Sequence, residues 1–244
     1  MEKVIDKKNI RDFAYVNDGC CVLPVKGVVI DFFGLGNTSM FGADTVEGGF
    51  YGERGILYVV PYYNPWSWMN KQAVGFTDEI IDVLFDKYGL SKDTPIVASG
   101  ESMGGQGALV YCVYSKRTPV ACVVNCPVCD VAYHYTERPD LPRTMYSAIW
   151  QNEGSLDAAL KSISPRHLID RLPAIDYHIF HCAADSAVII SRHSDVFVRE
   201  LSDRGLSVSY DVVPGRDHCD LGYSMKKKYA QYIVDAVESN ARKD

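Results

Sequence analysis

No stretch of the 244-residue chain approaches the ~20 consecutive apolar residues of a membrane-spanning helix, so a helical membrane protein is excluded. The first residues, Met1-Glu2-Lys3-Val4-Ile5-Asp6-Lys7-Lys8, are charged and lack the apolar core of a secretory leader. Positive charge is also in short supply: 25 Lys and Arg stand against 31 Asp and Glu, a formal net charge of −6. Nucleic acid and anionic lipid surfaces both need a basic footprint, so neither is an expected partner. The glycines form neither G-x-x-x-x-G-K-[ST] nor a G-x-G-x-x-G after a strand, the loops that cradle nucleotide phosphates. One C-x-x-C is present, Cys126-Pro127-Val128-Cys129, with no second to complete a zinc site. It follows a strand rather than opening a redox-active helix, so Cys126 and Cys129 read as structural cysteines. No metal and no cofactor are expected. Repeats, low-complexity tracts and linkers are missing as well, so residues 1–244 read as one domain.

What is present is an ordinary globular composition, 47% hydrophobic and 23% charged, on a chain long enough to bury a full core. Several of the eight cysteines (Cys122, Cys126, Cys182) lie in apolar runs, where free cysteine behaves as a small hydrophobe. With no leader, that usage suits a reducing compartment, and the cytoplasm is the expected location.

Strand and helix patterns alternate. The continuous β-branched run at residues 27–33 reads as a buried strand of a parallel sheet, residues 120–125 as another, and residues 55–60, 95–99, 176–182 and 208–213 as further strands. Two weaker candidates precede them, at residues 10–16 and 20–25. Residues 73–88 place Ile80, Ile81, Leu84, Phe85 and Tyr88 on one helical face, with Gly89 ending the helix. Further helices are expected at 191–204 and 224–240. The alternation predicts an α/β fold, a mostly parallel central sheet wrapped by helices. Residues 126–172 break the rhythm with a Pro- and Arg-rich segment and two expected helices, at 144–151 and 156–161. This insertion is expected to cap a site.

The organising motif is Gly100-Glu101-Ser102-Met103-Gly104. A chance G-x-S-x-G arises on the order of 0.1 times in a chain of this length, so the pattern alone is only suggestive. Its context makes it specific. A strand runs directly into it and a small-residue helix runs out, which places Ser102 on a strained turn with its hydroxyl exposed. A serine hydroxyl needs a base, and the base needs an acid to orient it. On such a corner the expected order is serine, acid, histidine. His218 is the histidine in a loop after a strand. His178 and His181 lie within a strand, His193 on a helix, and His167 in the insertion. Asp185 is the acid, in the turn after the strand at 176–182. Asp195 lies on a helix, Asp211 within a strand, and Asp217 and Asp220 sit too near His218 to reach around its ring. Ser102, Asp185 and His218 all follow the C-terminal ends of parallel strands, the edge where such sheets bind ligands.

The same residues carry a family resemblance. Gly100-Glu101-Ser102-Met103-Gly104-Gly105, then Ser164-Pro165 ahead of a strand ending His181-Cys182-Ala183-Ala184-Asp185-Ser186-Ala187-Val188, then His218, resemble the α/β-hydrolases. More narrowly they resemble esterases related to the prolyl-oligopeptidase catalytic domain, over roughly residues 27–240. The resemblance implies a backbone oxyanion hole from Met103 and from Leu35 or Gly34. The family's usual His-Gly in that loop is replaced by Phe33-Gly34-Leu35. It implies a serine carboxylesterase acting on small-molecule esters through an acyl-enzyme. A homo-oligomer is compatible with it.

The loop at 61–70 is rich in aromatics, and Tyr63, Trp66 and Trp68 are expected to wall the substrate pocket, with His134 of the insertion. Two other functions compete. A peptidase or aminoacyl hydrolase would use the same triad, but such relatives usually carry an N-terminal propeller for which this chain has no room. A non-catalytic binding protein would typically have lost a triad member, and none is lost here.

Overall fold

The structure, a computed structural model, describes residues 5–150 and 154–241. Seven strands form one sheet: β1 (Ala14–Val16), β2 (Gly27–Phe32), β3 (Ile56–Pro61), β4 (Ile96–Glu101), β5 (Ala121–Asn125), β6 (Asp176–Cys182) and β7 (Val208–Val213). Their spatial order is β1-β3-β2-β4-β5-β6-β7. β1 pairs antiparallel with β3, and every other pairing is parallel. β2 to β5 are almost continuously buried, as a parallel sheet covered on both faces requires.

Helices cover the two faces: α1 (Val46–Gly52), α2 (Lys71–Tyr88), α3 (Met103–Tyr114), α4 (Val131–Glu137), α5 (Leu141–Ile149), α6 (Leu156–Ser162), α7 (Ser194–Asp203) and α8 (Gly222–Asn240). Strand alternation assigns the side chains. Cys122 and Val124 of β5 join one core with Ile80 and Leu84 of α2, Leu109 of α3 and Phe197 of α7. Ala121 and Val123 join the other, with Tyr51 of α1 and Ile233, Val234 and Val237 of α8. No helix among the described residues is long and apolar enough to cross a membrane.

The expected helix over 73–88 forms, capped at its start by Asn70 and ended by Gly89 in the left-handed conformation. Other expectations shift. The run at 10–16 divides into a 3₁₀ turn (Ile10–Asp12) and the short edge strand β1. The run at 20–25 is irregular, with no strand. α7 begins at Ser194 rather than 191. The insertion carries three α-helices rather than two: α4 forms behind the cap of Asp130, whose Oδ1 accepts the Tyr133 N–H at 2.9 Å. The helix expected at 144–151 starts earlier, at Leu141, and Gln151 lies outside the described residues, as do residues 1–4 of the charged N-terminus. α1 has no counterpart in the sequence reading. Three glycines in seven residues disfavour a helix. It forms because Thr45 caps it and because Gly48 lets it lie against Tyr15, whose hydroxyl would meet a Cβ there at 2.1 Å.

Candidate active site

β4 delivers Ser102 one residue past its end, directly beside the end of β5, since Glu101 pairs with Asn125. Ser102 adopts φ 56° and ψ −123°, a conformation costing a side-chain-bearing residue about 1–3 kcal/mol. The surroundings impose it. The Ser102 N–H donates to Asn125 O at 3.0 Å, and Ser102 O accepts from Gln106 N–H at 3.1 Å as α3 begins. The bend is so tight that a Cβ on Gly104 would lie 1.8 Å from Phe32 O, and one on Gly100 2.7 Å from it. Only glycine fits either flank. From α8, the Tyr229 hydroxyl accepts the Gly100 N–H at 3.0 Å and donates to Val123 O at 2.7 Å, bridging β4 and β5 just before the turn.

β6 and β7 end side by side, Cys182 paired with Val213, so the loops after them lie together. Asp217 fastens the two: its Oδ1 accepts from the backbone N–H groups of Ser186 and His218, at 2.9 and 2.8 Å, and its carboxylate takes the Ser186 hydroxyl. Asn125 Nδ2 donates to Cys219 O at 3.1 Å and holds the His218 loop against β5. The result is a continuous hydrogen-bonded chain. Ser102 Oγ lies 2.9 Å from His218 Nε2, and His218 Nδ1 lies 2.7 Å from Asp185 Oδ2. Asp185 Oδ1 accepts from Ala187 and Val188 N–H, which fixes the carboxylate in place.

Charge follows geometry. Burial alone would raise the Asp185 carboxyl, but hydrogen bonds from His181, His218 and the Val188 N–H hold it well below the usual carboxylate range. Burial pulls the His218 imidazolium down, and the hydrogen bonds with Asp185 and Cys126 overcome this and leave it raised to about 9. In the neutral ring, which the raised value makes the minor form at pH 7, the basic Nε2 lone pair faces the Ser102 hydroxyl and can accept its proton.

β2 runs parallel to β4 and ends at Phe32, which brings Gly34 against the serine: a Cβ on Gly34 would sit 3.7 Å from Ser102 Cβ. Among the described residues, neither the Leu35 nor the Met103 N–H donates to a backbone carbonyl. Tyr63 stacks on Phe33 at 4.2 Å and donates to Phe33 O at 3.2 Å, so it lies beneath this loop. Trp66 is exposed beside Gly36, whose N–H donates to Pro65 O. Trp68 and His134 do not wall an open pocket. They are 1% and 2% exposed and pack edge to face. Trp68 Nε1 donates to Thr144 Oγ1 and its ring meets His134, which clasps the insertion to the body, while His134 Nδ1 donates to Glu137 within α4. Burial of their apolar rings outweighs exposure, and the same aromatic composition serves either orientation.

The sequence reading passed over His181, Asn125 and Asp217. His181 is fully buried, as expected of a strand residue, yet its Nε2 stands 3.3 Å from Asp185 Oδ2. Its position four residues before Asp185, at a strand's C-terminal end, is the signal that was available. All eight cysteines are free. Cys129 and Cys126 are both buried in the core, Cys126 also lying beside Cys219 of the His218 loop.

No family model and no curated protein matches the chain. Solved structures do. Esterase 2 of Thermogutta terrifontis aligns with a TM-score of 0.68 at 16% identity, over 95% of this chain and 91% of that one. Esterase B of Lactobacillus rhamnosis aligns at 0.66 with 10% identity, over 88% of this chain and 77% of that one. The acylaminoacyl peptidase of Pyrococcus horikoshii aligns at 0.70 with 13% identity, over 89% of this chain but 38% of that longer one. The fold is that of the α/β-hydrolases.

Proposed function

We propose that this chain is a serine hydrolase that cleaves carboxylic esters through an acyl-enzyme. The observation that carries the reading is the unbroken Ser102–His218–Asp185 chain at 2.9 and 2.7 Å, with the serine on a strained strand-to-helix turn. Ser102 Oγ attacks the ester carbonyl carbon as its proton passes to His218 Nε2. Asp185 keeps the other imidazole proton on Nδ1 and stabilises the imidazolium. The carbonyl oxygen, now an oxyanion, faces the N–H groups of Met103 and of Leu35 or Gly34, each contributing on the order of 3–4 kcal/mol to the transition state. Collapse expels the alcohol, which leaves with the proton held by His218. Water then attacks the acyl group by the same route in reverse, releasing the acid and regenerating Ser102.

The insertion between β5 and β6, residues 126–172, is the cap of this site. Trp66, exposed beside the oxyanion loop, is the aromatic that meets substrate, and Tyr63 supports that loop from below.

Hydrolysis of nitrophenyl esters from acetyl to octanoyl, by wild type and Ser102→Ala, tests the reading. Turnover by wild type, with a loss of about 10⁴-fold or more in the variant, is expected. Equal rates in the two proteins refute it. The likeness to a peptidase favours one other substrate class, aminoacyl amides. An aminoacyl anilide assayed in parallel separates it, because an esterase leaves the anilide intact.

A further inference from the structure

Ester hydrolysis leaves a second chemistry beside Ser102 unused. Cys126, His218 and Cys219 each present a potential ligand atom, and the three atoms lie within 4.8 Å of one another. Cys219 Sγ stands 3.5 Å from His218 Nε2. A tetrahedral zinc ion, with bonds of about 2.3 Å to sulfur and about 2.0 Å to nitrogen, holds such ligands about 3.5 Å apart. One edge of that tetrahedron is already in place.

The tautomer is the required one. His218 Nδ1 donates to Asp185, so the lone pair is on Nε2, toward both Ser102 and Cys219. A carboxylate behind the ring is how metal-binding imidazoles are oriented and made more basic. Cys126 Sγ accepts N–H groups from Cys182 at 3.3 Å and from Cys219 at 3.4 Å. Two amides aimed at one sulfur stabilise the thiolate that a metal needs. Both cysteines hold left-handed backbone, φ 45° and 60°, at turns that face the ring.

The His134, Glu137 and His193 group, equally compact, fails the same test. His193 Nδ1 accepts the Asp130 N–H at 3.3 Å, so its proton is on Nε2, the atom facing Glu137. That nitrogen has no lone pair to give.

We propose that Cys126, His218 and Cys219 form an inhibitory site for a thiophilic divalent cation, Zn²⁺ foremost, with Ser102 Oγ or water as the fourth ligand. Binding forms two zinc–sulfur bonds and one zinc–nitrogen bond. It releases the two thiol protons to solvent, together with the Nε2 proton of any ring that carries one, and no electron changes hands. His218 keeps its Nδ1 proton but can no longer take one from Ser102. The inhibition rests on the assignment of His218 as the base, whereas the coordination does not.

The test has two readouts. Ester hydrolysis is followed during Zn²⁺ titration, and thiolate-to-cobalt charge-transfer absorption is followed during Co²⁺ titration. Expected are full inhibition reversed by a chelator, and a cobalt spectrum showing two thiolates. In Cys219→Ser, normalised to its own metal-free rate, half-inhibition shifts upward on the order of 100-fold and the thiolate absorption falls. Cys126→Ser behaves alike where it folds, and Cys219→Ala carries the test otherwise. Ser102→Ala keeps the cobalt spectrum, so the metal site is read even if the ester assignment fails. Cobalt binding without thiolate absorption, or inhibition of Cys219→Ser at wild-type zinc concentrations, overturns the proposal.

Discussion

The buried imidazole of His181 stands 3.3 Å from Asp185 Oδ2, the same oxygen that accepts from His218. His181 Nδ1 accepts from the Ser194 hydroxyl at 2.7 Å, so its proton is on Nε2, which donates to Val188 O at 3.0 Å and faces the carboxylate. Asp185 is therefore held from both sides. His181→Ala is expected to lower kcat about 10-fold with KM little changed, as loss of a supporting partner typically does. His181→Gln, which retains a donor, is expected to recover part of it. Steady-state kinetics on both variants check this, and a purely structural role would lower the active fraction without the partial rescue.

Two aspartates lie near His218 with different duties. Asp185 meets the ring at Nδ1, while Asp217 binds the backbone of both loops. Asp185→Asn presents an amide that favours the wrong tautomer and is expected to reduce kcat by about 10⁴-fold. Asp217→Asn only loosens the loops, and a loss nearer 10-fold is expected, by analogy with other supporting groups. Rates of the two variants on one ester decide the assignment. A reversed order would make Asp217 the acid.

Much of this was legible in the chain. Continuous apolar runs marked β2 to β5, because strands buried on both faces have no polar alternation to hide them, whereas β7 at the sheet edge is mostly half-exposed and carries Ser209 and Asp211. Ser102, Asp185 and His218 stood out because each follows a strand end. What escaped depends on partners distant in sequence. His181 looks like any strand residue until the turn at 185–188 folds back on it. α1 exists because Tyr15 fills the space that its Gly48 leaves. Trp68 faces inward through contacts with Thr144 of α5 and His134 of α4, both more than sixty residues away, that no local pattern encodes.

Tyr229 works from the opposite face. Its hydroxyl satisfies the Gly100 N–H and Val123 O just before the strand-to-helix turn at Ser102. Tyr229→Phe leaves a buried donor and acceptor unpaired, and a stability loss of about 1–3 kcal/mol is expected. Strain at Ser102 depends on that support, so kcat is expected to fall too. Urea midpoints and ester kinetics on the same preparation check both, and unchanged stability would show that water or the neighbouring ladder replaces the hydroxyl.

The insertion carries its own acid sensitivity. Burial lowers His134 to about 4, with His193 and Arg138 also disfavouring its charge and Glu137 opposing them. Its folded value lies below the unfolded one, so as pH falls the unfolded chain takes the proton first. Stability from this residue is complete above the unfolded value near 6.5 and declines as pH drops toward 4. Glu137, lowered by its two histidines against the burial that would raise it, acts in the same direction at still lower pH. Between neutral pH and about pH 5 the expected loss is about 2 kcal/mol, read as a shift in urea midpoint. His134→Gln cannot take up the proton and is expected to flatten that dependence while lowering stability at neutral pH, because the edge contact with Trp68 is lost. A variant as acid-sensitive as wild type would place the sensitivity elsewhere in the chain.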